Sequence, residues 1–120
     1  MFKLFMGCFG NGTLICNSAV RENGDYKKIA HISNGGNITW YVPENEIPPD
    51  DLTIIKDTAK NAKSKFKKDF EQHDKTWQYY YMLNSFNIDR VQYYLSDEYK
   101  NSKDFDHRLS EMRNYFYSIA

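Results

Sequence analysis

The chain has 120 residues, of which 41% are hydrophobic, 27% charged and 17% aromatic. This composition excludes a disordered tail and predicts one folded domain. Sixteen Lys and Arg residues balance sixteen Asp and Glu residues, which disfavours both a strongly basic nucleic-acid binder and an acidic nucleic-acid mimic. The chain has no apolar run near the roughly 18 residues of a membrane span, and its first residues do not resemble a secretory signal. We therefore expect a soluble, cytoplasmic protein with no membrane partner.

Residues 1–42 contain four β-prone segments separated by turns rich in Gly and Asn. Asn-Gly between apolar runs is typical of a two-residue type I′ hairpin, because both residues tolerate a positive φ. In the third segment, the two-residue repeat predicts Tyr26, Ala30 and Ile32 on one face and Ile29 on the other. In the fourth segment, it places Ile38, Trp40 and Val42 on one face. The predicted turns are Asn11-Gly12, Asn23-Gly24 and Asn34 to Asn37.

Residues 43–51 form a connection containing prolines, and residues 52–120 are rich in helix formers. Apolar residues at offsets of 4, 7, 11 and 15 predict a first helix whose stripe faces the sheet. This stripe consists of Ile55, Ala59, Ala62, Phe66 and Phe70. The predicted caps of the later helices are Asp74 or Thr76, Asn87, and Asp104 or Ser102. The second and third helices are either separate or one kinked helix.

Two further apolar lines are predicted in this half. On the third helix the line is Ile88, Val91, Leu95 and Tyr99, and on the last helix it is Phe105, Leu109, Met112, Phe116 and Ile119. A sheet with one apolar face needs a cover, and the helical half supplies it. The sequence thus predicts a single α+β domain over residues 1–120, with an N-terminal four-stranded antiparallel β-meander packed against three to four C-terminal α-helices.

Four lysines recur at offsets of 4, 7 and 11 and predict a basic ridge beside the apolar stripe of the first helix. They are Lys56, Lys60, Lys63 and Lys67. Such a ridge can contact phosphates of a nucleic acid or an acidic protein surface. A solvated face is the competing interpretation, in which the aliphatic stems cover apolar neighbours and the charge is diluted by Asp57, Asp69 and Glu71.

Aromatic residues are dense after residue 76. Tyr79, Tyr80 and Tyr81 lie about 100° apart on a helix, so at least one of them should reach the surface. Exposed tyrosines are typical of protein interfaces and can also stack on bases, whereas half-buried tyrosines belong to a core. The candidate anchors are Tyr79, Tyr80, Tyr93 and Tyr94, and the candidate steering charges are Lys60, Lys63 and Lys67.

The remaining reactive side chains indicate no catalytic, cofactor or metal site. In a hairpin with a two-residue loop, the numbers of facing residues sum to an odd value, so Cys8 and Cys16 should not face each other. We expect both thiols to be free and reduced. His31, His73 and His107 lack the spacing of metal ligands or of a catalytic group. The sequence predicts a non-enzymatic protein.

Part of the β-rich half carries a resemblance to a known kind of module. The segments are Gly10 to Thr13, Asn23 to Ile32 and Ile38 to Val42. Together they resemble a small module found in uncharacterised proteins of phages and mobile elements of gut bacteria, with Trp40 where a tyrosine is usual. The resemblance covers residues 10–42. It implies a small accessory protein, of a kind sometimes encoded near anti-restriction or anti-CRISPR functions, and it transfers no catalytic residue.

Two functions follow as hypotheses. In the first, the protein of a phage or mobile element binds and inhibits a host protein in the bacterial cytoplasm, such as a defence nuclease of the CRISPR type. The alternative is a nucleic-acid-binding accessory domain, in which the four lysines contact phosphates and the tyrosines stack on bases. The sequence does not predict the target or the oligomeric state.

Overall fold

A computed structural model of the chain describes residues 2–9, 11–97, 99 and 104–120. It has the predicted α+β class, because an N-terminal four-stranded antiparallel sheet precedes four helices in the described residues. The strands are β1 Leu4–Phe9, β2 Gly12–Glu22, β3 Asp25–Ile32 and β4 Ile38–Trp40, in the sheet order β1-β2-β3-β4. The helices are α1 Pro49–Glu71, α2 Lys75–Ser85, α3 Ile88–Leu95 and α4 Phe105–Ile119.

The chain forms two compact units, Met1–Phe66 with Ala120, and Lys67–Ile119. The boundary between them lies within α1. The single domain expected over residues 1–120 therefore remains a prediction. In the described part of the chain, none of the helices combines the length and the apolar character that crossing a membrane requires.

The first hairpin closes one residue earlier than predicted, because Phe9 pairs with Gly12. Gly10 lies outside the described residues, and the numbers of the facing residues still sum to an odd value. Cys8 faces Thr13, and Cys16 faces Phe5. The predicted separation of the two cysteines is confirmed, and both thiols are free. Burial raises the pKa of the Cys16 thiol.

The second hairpin has the predicted turn. Glu22 pairs with Asp25, and the two residues between them, Asn23 and Gly24, have φ values of 54° and 89°. A type I′ turn requires a positive φ at both central positions, which is why Asn-Gly favours it.

A β-bulge in β3 breaks the predicted alternation. Ile15 pairs with Ala30, but Cys16 pairs with Lys28, so Ile29 is an extra residue on β3. A bulge lets two consecutive side chains point to one face. Ile29 and Ala30 are consequently both buried, and the prediction of Ile29 on the opposite face is wrong.

The core of the first unit lies between the sheet and α1. Ile55 and Ala59 of α1 are buried together with Ile15, Ile29 and Ile32 of the sheet. Ala62 packs against this cluster, as do Ile38, Trp40 and Val42, which share a face as predicted. The apolar stripe of α1 therefore faces the sheet over these turns. Phe70, at the other end of the stripe, instead packs within the second unit, where its ring lies 4.9 Å from that of Phe116.

Three N-caps begin the helices of the second unit. Asp74 Oδ1 accepts from the Trp77 N–H at 2.9 Å, Asn87 Oδ1 accepts from the Arg90 N–H at 2.9 Å, and Asp104 Oδ1 accepts from the His107 N–H at 2.8 Å. These caps are among those predicted, and the alternative cap Ser102 lies outside the described residues. Phe86 and Asn87 have extended backbone, so α2 and α3 are separate helices.

The buried face of α3 differs from the predicted one. Ile88 is 68% exposed and Leu95 is also exposed, whereas Tyr94 is buried. The ring of Tyr94 packs 5.5 Å from Phe86 and 5.1 Å from Tyr99. Aromatic rings bury more area than aliphatic side chains. The side of α3 that carries Tyr94 is therefore the side that is buried. On α4, the predicted ends of the apolar line, Phe105 and Ile119, are exposed. The buried residues of α4 are Leu109, Met112, Phe116 and Tyr117.

Candidate protein-binding surface

An aromatic ladder, which we define as His73, Trp77 and Tyr81, begins just before the Asp74 cap and continues along α2. Trp77 and Tyr81 lie four residues apart on one side of α2, so their rings can stack, and His73 reaches the same side from the residues before the cap. The His73 and Trp77 rings have centroids 3.6 Å apart and an interplanar angle of 18°. The Trp77 and Tyr81 rings have centroids 5.0 Å apart and an angle of 17°. The ladder is therefore one nearly parallel stack, which begins where Asp74 caps the helix.

Phe70 holds the ladder from the inner side. Its buried ring lies 5.8 Å from both the Trp77 and the Tyr81 rings, and Tyr81 also meets Phe116 edge to face at 5.9 Å. Side chains that are already fixed lose little conformational freedom when a partner binds. The rings of the ladder would therefore lose little conformational freedom in a contact with another molecule.

A shallow groove of 420 Å³ runs beside the ladder along α2. Its lining residues are Asp74, Thr76, Trp77, Tyr80, Tyr81 and Asn84. The three aromatic side chains remain open to solvent, with exposed fractions of 39% for Trp77, 60% for Tyr80 and 46% for Tyr81. Among the described residues that line the groove, Asp74 carries the only charge.

The electrostatics of the groove favour a cation. The faces of Trp77 are covered by His73 and Tyr81, but Tyr80, the most exposed ring of the groove, lies outside the stack. The face of an aromatic ring carries negative potential, and Asp74 adds a carboxylate to the same groove. Lys75 does not neutralise the groove, because its ammonium is paired with Asp106. A guanidinium group combines positive charge with a planar face that stacks on aromatic rings. The arrangement suits an arginine side chain in the groove that Tyr80 and Asp74 line.

The four predicted tyrosine anchors have different surroundings. Tyr80 lines the groove. Tyr79 is half-buried, with its ring 5.4 Å from that of Tyr80 and 5.8 Å from that of Phe105. Tyr93 is 51% exposed on α3, outside the groove, and its ring lies 5.8 Å from the Arg90 guanidinium.

Tyr94 cannot act as an exposed anchor. Its side chain is only 3% exposed, and burial is the main cause of its raised pKa. Its ring belongs to the core described above. The exposed aromatic side chains that lie close together on α2 are Tyr80, Trp77 and Tyr81. The predicted set does not include His73, Trp77 and Tyr81, and the spacing of four residues between Trp77 and Tyr81 is the signal in the sequence that indicates their stacking.

The four ridge lysines are not equivalent. The Lys56 ammonium lies 3.5 Å from Glu44 Oε2, and the Lys67 ammonium lies 5.1 Å from the centre of the Tyr117 ring. Lys60 is exposed, and Lys63 is half-buried. The first and last lysines thus have partners within the protein, which weakens the ridge as a row of charges available for phosphates.

The side chains that could ligate a metal ion lie apart from one another. Within the described ranges, no three His, Cys, Asp or Glu side chains are grouped so that they could hold a metal ion. His73 lies in the ladder, and His107 Nε2 lies 3.3 Å from Glu111 Oε1 one helical turn away.

Comparisons of the chain with protein-family models, with curated proteins and with solved structures found no match. The features of the groove that indicate a function are its exposed aromatic rings and the neighbouring Asp74 carboxylate.

Proposed function

We propose that the protein acts by binding another protein through the groove of α2, which receives an arginine side chain of the partner. The observation that carries this proposal is the exposed, stacked ladder held by Phe70. Trp and Tyr side chains that are rigid before binding are typical of the residues that dominate interface energies. The function proposed is one of binding, with no chemical step.

The charges around the groove favour a protein over a nucleic acid as its partner. A phosphate approaching the ladder would meet the Asp74 carboxylate, and no lysine or arginine is among the described residues that line the groove. The lysines that could contact phosphates lie on α1, and two of the four already have partners. A cationic protein surface has the complementary charge.

The chemistry of the groove also suggests how binding could inhibit. Proteins that act on nucleic acids use arginine to contact phosphates and bases. A ligand that occupies those arginines blocks the nucleic-acid channel without any catalysis. The resemblance of residues 10–42 to a module of phages and mobile elements supports a host defence nuclease, such as a CRISPR effector, as the inhibited protein in a bacterial cytoplasm.

Binding can be tested with the fluorescence of Trp77. A Trp40→Phe background leaves Trp77 as the only tryptophan of the chain. We expect an arginine-rich peptide to change the emission of Trp77 saturably, and a lysine-rich peptide of equal length to bind more weakly, because ammonium groups lack a planar face. Equal affinity for both peptides, or no binding of either, would contradict the proposal.

Two variants and one control localise the binding. Tyr80→Ala should lower the affinity for the arginine-rich peptide about tenfold, as expected when an aromatic side chain is removed from an interface. Asp74→Asn should also lower this affinity, because the substitution removes the negative charge while the asparagine side chain still caps the helix. Tyr41→Ala is the matched control, since Tyr41 is similarly exposed but lies in the other unit, and it should have no effect.

Single-stranded DNA of mixed sequence tests the alternative function in the same assay. The proposal predicts no saturable binding at physiological salt. Binding that falls steeply with salt and is lost when Lys60 and Lys63 are both replaced by Ser would overturn the proposal in favour of the nucleic-acid-binding domain.

A further inference from the structure

The sheet has one long edge that is open to another strand. β1 lies at the end of the sheet order, and in the described part of the chain no strand pairs with its outer side. It has six residues, Leu4–Phe9, and pairs with β2 in a regular register without a bulge. Natural edge strands are usually protected by charges, prolines or bulges. The sequence of β1 contains no charged residue and no proline.

The backbone of β1 presents a defined set of donors and acceptors at this edge. The carbonyl of Lys3 accepts from the Ser18 N–H at 2.8 Å, and the N–H of Lys3 donates to Asn17 Oδ1 at 3.0 Å. Both groups of Lys3 thus face β2. Because the direction alternates along a strand, the N–H and C=O groups of Leu4, Met6 and Cys8 point away from the sheet.

This pattern is self-complementary. In an antiparallel pair of two β1 strands related by a two-fold axis, Met6 faces Met6 of the second copy, and Leu4 faces Cys8 of the second copy. Every outward-pointing group of these three residues then finds a partner. Neither strand brings a charge, so the pairing places no like charges opposite each other.

The positions of the β1 side chains are also compatible with the antiparallel register centred on Met6. Leu4 and Met6 pack against the core cluster, so both copies turn the same face of the joined sheet toward their helices. On the opposite face, the ring of Phe5, which is 51% exposed, comes to lie opposite Gly7 of the second copy. An aromatic ring beside a cross-strand glycine covers backbone that the glycine leaves open.

We propose that the protein forms a two-fold symmetric dimer in which the β1 strands of two copies pair antiparallel around Met6 and join their sheets. The dimer is closed, because the pairing uses the β1 edge of both copies. It is independent of the groove proposed above, since β1 and α2 lie in different units.

The mass in solution tests this proposal. Sedimentation velocity over increasing concentration should show the mass rising from 14.3 kDa to twice that value and then remaining constant. A monomer up to millimolar concentration, or growth beyond the dimer, would overturn the proposal.

Two variants of exposed residues test the edge itself. Phe5→Lys places a charge at the join, and Cys8→Pro removes an outward N–H that the monomer does not use in its sheet. Each should weaken dimerisation by about tenfold or more, since symmetry applies the change twice. Thr39→Lys, an exposed position on β4, is the matched control and should leave the dimer unchanged. Dimerisation that survives both edge variants would contradict the proposal.

The register has its own test. Directly opposed residues of such a pair have Cα atoms about 5.5 Å apart, within the range of a disulfide. Met6→Cys in a Cys8→Ser background should therefore form a disulfide-linked dimer under mild oxidation. The wild type should not, because Cys8 faces Leu4 of the second copy. The reverse result would exclude this register.

Discussion

Gly36 lies where the turn between β3 and β4 approaches α1. Its φ is 83°, and a Cβ added there would lie 2.5 Å from the carbonyl oxygen of Ala59. Gly24 has a similar φ of 89°, but an added Cβ would have nothing within 4 Å. A side chain at Gly24 would be disfavoured by the backbone conformation alone, whereas a side chain at Gly36 would also clash with α1.

Alanine substitution at both glycines measures this difference. Gly24→Ala should lower the free energy of unfolding by about 1 to 2 kcal/mol, which is the cost of a side chain in the left-handed region. Gly36→Ala should cost about 1 to 3 kcal/mol more, because the turn must also move away from α1. Urea unfolding of the two variants gives both values, and equal losses would show that α1 does not constrain the turn.

Three buried tyrosines make stability sensitive to alkaline pH. Burial is the largest cause of the raised pKa values of Tyr94, Tyr99 and Tyr117. The Tyr99 hydroxyl also donates to the Arg108 carbonyl at 2.7 Å. A raised pKa means that the folded state holds its proton more firmly than the unfolded state, so the stabilisation is complete below the ordinary tyrosine pKa of 10.0.

The free energy of unfolding should therefore fall as the pH rises above 10.0, the unfolded value. Each buried tyrosine contributes a slope of up to about 1.4 kcal/mol per pH unit. Tyr99→Phe should reduce this slope, while costing about 1 kcal/mol at neutral pH through the lost hydrogen bond. Unfolding curves at several alkaline pH values provide the measurement, and an unchanged slope in the variant would contradict the assignment.

At the scale of elements, the N-cap of α2 both begins the helix and supplies charge to the groove. Asp74→Ala removes the bond to the Trp77 N–H and should cost about 1 kcal/mol of stability. Asp74→Asn keeps a capping oxygen and should be nearly neutral. Thermal unfolding followed by circular dichroism separates the two variants. Equal stabilities of all three proteins would show that the cap does not stabilise α2.

The elements that sequence reasoning placed correctly are those set by local chemistry. The Asn23-Gly24 turn and the caps Asp74, Asn87 and Asp104 depend on a few neighbouring atoms. The bulge at Ile29 depends on the pairing of β3 with β2, which no local pattern indicates. The inward face of α3 depends on the contacts of Tyr94 with other aromatic rings, so a purely periodic pattern of aliphatic residues misassigned it.

The presence of an exposed aromatic ring on α2 could be predicted from the sequence, but the stacking of all three ladder rings could not. Three adjacent tyrosines on one helix correctly indicate that a ring must be exposed, and Tyr80 is the most exposed of the three. Which rings stack, however, depends on Phe70, whose contacts with Trp77 and Tyr81 arise from tertiary packing. Adjacent helical residues point in different directions, which is why Tyr93 is exposed while Tyr94 is buried.

The two proposed surfaces use separate residues. The groove is built within Lys67–Ile119 and the β1 edge within the other unit. Variants at sites with no shared contacts act independently. Phe5→Lys should therefore leave the affinity for the arginine-rich peptide unchanged, and Tyr80→Ala should leave the mass in sedimentation unchanged. A change in either cross-test would mean that the surfaces are coupled.

The most direct test of the central proposal maps where the arginine-rich peptide binds. Amide chemical shifts of the full chain are recorded by NMR as the peptide is added. Shifts that change saturably for Asp74 to Asn84, with the Trp77 indole N–H among the largest, are the predicted result. Changes confined to the lysines of α1 or to the sheet, with α2 unaffected, would contradict the assignment of the groove as the binding surface.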